Sequence, residues 1–81
     1  MQIDVLLFAA AREAAGTKSI QIDVPQDACA ADVLRVLGET IPGIEGLMPA
    51  SRLAVDRDYV SADTPVNAGS EVALIPPVSG G

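Results

Sequence analysis

Glu71-Val72-Ala73-Leu74-Ile75-Pro76-Pro77-Val78-Ser79-Gly80-Gly81 closes the sequence. Its first half reads as a strand, with Val72 and Leu74 on one face and Ala73 and Ile75 on the other. Pro76 and Pro77 have no amide hydrogen to give a ladder, so the strand must end at Ile75. Two consecutive prolines also stiffen the backbone toward an extended polyproline geometry. The sequence therefore divides into a single domain over 1–75 and an extended tail over 76–81, whose six residues reach roughly 20 Å when extended.

Upstream of that strand, turn chemistry dominates. Asp63-Thr64-Pro65 and Asn67-Ala68-Gly69-Ser70 are turns, and Asp56-Arg57-Asp58 turns Arg52–Val55 into a shorter strand at Tyr59-Val60. Residues 42–51 hold Gly43, Gly46 and Pro49 between Ile44, Leu47 and Met48, which predicts a loop pinned by buried side chains. Before it comes the one long helix, from about Cys29 to Thr40. Ala30, Val33, Leu34 and Leu37 lie at i, i+3, i+4 and i+7 and form one apolar stripe. Asp27 is placed to cap the helix, Asp32 falls in its first turn, and Pro42 ends it at Ile41.

Ser19–Val24 alternates strictly, with Ile20, Ile22 and Val24 predicted inside, and Pro25 stops it. Ala9–Gly16 is a short alanine-rich helical turn closed by Gly16 as a left-handed cap. Ile3–Phe8 is apolar at nearly every position, as for a strand covered on both faces, with Asp4 near its outer end. The first two strands are expected to pair antiparallel. The order β, short α, β, α, β, β, β predicts an α+β fold, a mixed sheet with one main helix across one face.

Composition narrows the chemistry. At 81 residues the chain is one domain near the lower limit of an unaided core, and 49% apolar content favours compaction over disorder. One cysteine excludes an internal disulfide, and the lack of histidine removes imidazole catalysis and argues against zinc. A net charge of −6 with five scattered basic residues argues against nucleic acid. No stretch approaches the ~20 apolar residues of a membrane span. The start Met1-Gln2-Ile3-Asp4 lacks a basic region, so no signal peptide is expected and a reducing cytoplasm fits best.

Individual candidates are few. Cys29 lies near a helix start, where a cysteine serves as cap or filler, or as a reactive thiolate. Arg12-Glu13 reads as a bridge between the short helix and the body, or as a partner contact. Asp56, Asp58 and Asp63 miss the calcium-loop pattern and read as turn acids. Gly43 and Gly46 miss phosphate-loop spacing, so any ATP would be bound by a partner. Gly-Gly at a chain end is ordinarily a frayed terminus. After a double proline it instead suits a carboxylate presented for activation, since glycine has no Cβ to block an attacking group or a tight pocket wall.

Val72–Gly81 closely resembles the end of the MoaD family, the small sulfur-carrier subunits of molybdopterin synthase. Phe8-Ala9-Ala10-Ala11-Arg12-Glu13-Ala14-Ala15-Gly16 resembles that family's F-A-x-x-R-E-x-x-G segment, and length and element order agree over essentially the whole chain. The sequence departs in two turns, with Asp56 where the family usually has Asn, and Gly69-Ser70-Glu71 where it has Gly-Asp-Glu. The resemblance implies a ubiquitin-like β-grasp domain. It implies that Gly81 is adenylated and converted to a thiocarboxylate, and that Val78, Ser79, Gly80 and Gly81 line a partner's channel. Leu74, Ile75, Pro76 and Pro77 would form an apolar interface. The implied partners are a large synthase subunit (MoaE-like) in a heterotetramer, an E1-like adenylating enzyme (MoeB-like) and a sulfur-donor system. No cofactor would be bound by this chain; ATP belongs to the activating enzyme and the pterin precursor to the large subunit. The same tail also suits a ubiquitin-like modifier joined to lysines through Gly81, or a sulfur carrier for a thiazole or a tRNA base.

Overall fold

The computed structural model describes residues 1–77. Its elements are β1 (Gln2–Leu7), α1 (Ala9–Ala15), β2 (Ser19–Asp23), α2 (Ala30–Thr40), a 3-10 turn (Met48–Ala50), β3 (Arg52–Val55), β4 (Asp58–Tyr59) and β5 (Val72–Ile75). The strands form one five-stranded mixed sheet in the order β2-β1-β5-β3-β4. β5 lies at its centre, parallel to β1 and antiparallel to β3. Central placement explains why this segment is apolar at every position, with Val72, Ala73 and Leu74 all buried.

One face of the sheet carries the core. Ile3, Val5 and Leu7 of β1, Leu53 of β3 and Leu74 of β5 pack with Val33 and Leu37 of α2, each at most 2% exposed. Each such side chain contributes about 1.5–3 kcal/mol of burial. Ile44, from the loop after α2, is wholly buried, which pins that loop as its composition predicts.

Among the described residues no helix covers the other face of the sheet, and this corrects the reading of β1. The strand is Gln2–Leu7 and alternates strictly, with Gln2, Asp4 and Leu6 exposed. Asp4 sits mid-strand opposite Gln21 rather than at an outer end. Leu6 and Phe8, which make the run look two-sided in sequence, lie on the open face instead.

Two boundaries also move. Asp27 does not cap α2; Cys29 does, in extended conformation, and its partner is Asp32. The β3–β4 turn shrinks to Asp56 and Arg57, both left-handed (φ 51° and 73°), so β4 starts at Asp58 opposite Val55. That is the backbone of a tight two-residue hairpin, and Asp tolerates it better than most residues. Asp56 further accepts a hydrogen bond from the Glu71 amide (2.9 Å), tying the hairpin to the residue before β5. Gly16 caps α1 in the left-handed region as predicted, its amide bonded to the Arg12 carbonyl.

Candidate functional site: the tail root and the open face of the sheet

The tail leaves from the end of the central strand. Within β5 the alternation of side chains sorts the expected interface residues. Leu74 pairs with Leu53 and Leu7 and is 0% exposed, so it serves the core and is not available to a partner. Ile75 faces the open side and is half-buried, Pro76 is buried and Pro77 is exposed. Val78, Ser79, Gly80 and Gly81 lie outside the described residues.

Strand pairing builds a surface that the sequence did not reveal. Leu6, Ala73, Ala54 and Tyr59 stand in one row across four strands, and Ile75 stands opposite Arg52 in the next. The two alanines are short, and the larger side chains around them leave a groove of about 250 Å³ that Phe8 and Ile75 also line. Leu6, Phe8 and Tyr59 are 37%, 46% and 55% exposed, and they are the exposed large apolar side chains of the described residues. Singly they would mean little, but all three lie in one groove that continues into the tail root, as an interaction surface does. No local pattern marks it, because its residues come from four strands and only the pairing register brings them together.

Arg57 and Glu71 line one end of the groove, and Arg52 stands next to it without lining it. Arg57 pairs with Glu71 (3.6 Å) at the end remote from the tail. Arg52 lies beside the tail root, its guanidinium carbon 4.3 Å from the centre of the Tyr59 ring. Such stacking contributes about 0.5–1 kcal/mol at an exposed site.

Elsewhere the candidates resolve into structure. The Cys29 thiol donates to the Asp32 carboxylate (3.4 Å), which also accepts from the Cys29 amide (3.0 Å), so the cysteine is part of a helix cap. These bonds hold the Asp32 carboxyl below its ordinary range, the amide most, then the thiol, with Arg35 adding to them against a small burial penalty. Asp63 accepts from the Ser61 hydroxyl (2.8 Å), as a turn acid does. Arg12 and Glu13 are both exposed and make no ion pair among the described residues, so they do not bridge α1 to the body. Among the described residues no group of Cys, Asp and Glu could hold a metal, and no helix is long and apolar enough to cross a membrane.

A central strand that delivers a tail from a mixed sheet, with one main helix across the back, is the ubiquitin-like β-grasp arrangement. The profile of the ThiS family matches residues 5–81, and the chain belongs to that family. It is 41% identical to the molybdopterin synthase sulfur carrier subunit of Dictyostelium discoideum, over 99% of this chain and 96% of that protein. To the human protein of the same name it is 34% identical, over 99% and 94%. Among solved structures it is similar to SAMP1 of Haloferax volcanii, with a TM-score of 0.84, 30% identity and complete coverage of both chains. A chain in the complex of subunits 1 and 2 of molybdopterin-converting factor from Helicobacter pylori shares the fold, with a TM-score of 0.68, 21% identity and complete coverage of both.

Proposed function

We infer that this chain is a sulfur carrier of molybdopterin synthesis whose working group is the Gly81 carboxylate. The observation that carries this reading is the 41% and 34% identity to molybdopterin synthase sulfur carrier subunits, each over 99% of this chain. A carboxylate is a poor electrophile until one oxygen becomes part of a good leaving group. Attack of that oxygen on ATP in an E1-like partner expels pyrophosphate and leaves an acyl-adenylate. A sulfur nucleophile from the donor system then displaces AMP, leaving a thiocarboxylate. That group is ionised near neutral pH and presents a soft sulfur nucleophile to the pterin precursor held by a large synthase subunit.

This chain supplies reach and fit rather than catalysis. Val78, Ser79, Gly80 and Gly81 enter the partner's channel, and the glycines keep that channel narrow. Ile75, Pro77 and the groove form the apolar seat next to it. Cofactors are thus handled by the partners, in the cytoplasm. The test is a chain extended by one residue past Gly81, reconstituted with activating enzyme, ATP, sulfide and large subunit. The extended chain should fold normally and give no sulfurated pterin; full activity without trimming would overturn the reading.

A second reading has its own support. SAMP1 is a small archaeal modifier protein, and its likeness to this chain is high enough to keep a modifier role in view. Covalent attachment of Gly81 to lysines of other proteins, in the organism's own extract, would establish it.

A further inference from the structure

We propose that Arg52 recognises the tail-accepting partner by charge: a carboxylate on that partner pairs with its guanidinium while an adjacent apolar side chain of the partner fills the groove over Ala54 and Ala73. The proposal takes from the carrier reading only the identity of the partner.

Position comes first. Arg52 pairs with Ile75 in the β3–β5 ladder, so it stands beside the last residue before the tail. Any protein that holds the tail must cover or border it. The state of the side chain comes second. Its guanidinium carbon lies over the Tyr59 ring, 4.3 Å from the centroid, which holds the group on the open face. Among the described residues nothing accepts from them. Arg35, by contrast, is engaged by Asp32 and Glu39, and Arg57 by Glu71. A guanidinium beside an apolar groove, with no acceptor among the described residues, suits a carboxylate bound through two parallel bonds.

Size and charge identify the occupant. About 250 Å³ falls below the roughly 300–1,000 Å³ of small-molecule sites and matches one large side chain. In the proposed function the nucleotide meets Gly81, six residues beyond Ile75 in sequence, so the anion proposed at Arg52 is a protein carboxylate. The chain as a whole carries −6, which opposes acidic surfaces in general. With Arg57 already paired to Glu71, the Arg52 cation beside the apolar seat favours an acid at that point and rejects partners with a base there.

The experiment is calorimetric titration of the full chain with the large molybdopterin synthase subunit of the same organism, at low and high salt. R52Q should weaken binding about tenfold at low salt and flatten its salt dependence. R52K, which keeps charge but loses the fork, should fall between R52Q and the wild type. A73L, which fills the groove, should weaken binding further, with thermal unfolding followed to show that it folds. Wild-type affinity and salt dependence in R52Q would overturn recognition by Arg52, whatever A73L does. A wild-type chain that fails to bind the subunit would instead overturn the carrier reading, and this proposal with it.

Discussion

Cys29 shows how much one atom decides at the residue scale. It holds the position where a helix prefers Ser, Thr, Asp or Asn, and there its thiol donates to the Asp32 carboxylate at 3.4 Å while its amide donates to the same group at 3.0 Å. A hydroxyl is a stronger donor and acceptor with a shorter reach. C29S should therefore raise stability by about 0.5–1 kcal/mol, read as a higher midpoint in urea with an unchanged slope. If Cys29 carried the sulfur chemistry, C29S would also abolish sulfur transfer; the cap assignment predicts full transfer. Position in sequence pointed to both roles for this cysteine, and only the contact with Asp32 separates them. Arg52 was legible as nothing more than one scattered cation, because its stacking partner Tyr59 belongs to another strand.

Among the elements, α2 and β5 carry the testable energetics. The α2 cap is pH-dependent, because its amide, its thiol and Arg35 all favour ionised Asp32. The folded pKa lies below the ordinary 3.8, so the unfolded chain binds the proton first as pH falls. The stability gained from this carboxylate is complete above that value and is lost as pH drops through the folded pKa. D32N should accordingly be less stable than the wild type near pH 6, and the gap should narrow toward pH 2–3 in denaturant titrations (about these values, from the linkage relation). In β5, L74A should cost about 2–5 kcal/mol, as a buried leucine does, whereas I75A should cost much less and weaken partner binding instead. Thermal unfolding beside the calorimetric titration checks both. Sequence periodicity located nearly every element here, since α2 repeats its stripe and β2 alternates. It failed on β1 and the residue after it, where Leu6 and Phe8 are apolar yet exposed. An apolar residue on an open face looks in sequence like one in the core.

The whole molecule is polarised along its strands. Asp23, Asp56, Asp58 and Glu71 lie at the sheet end remote from the tail, and the open face near the tail root is apolar with Arg52 at its rim. Of these four acids only Glu71 lines the groove, and there it is paired with Arg57. Because β5 is the central strand, it is held by ladders on both sides, to β1 and to β3. Sulfur carriage by Gly81 is tested by a C-terminal fragment spectrum of the protein purified from its own cells. Replacing oxygen by sulfur adds nearly the same mass as one oxidation at a methionine or at Cys29, so the fragments must localise the change. Sulfur on Gly81 is the predicted result. An unmodified Gly81, unchanged after incubation with ATP, sulfide and the activating enzyme, would contradict the account.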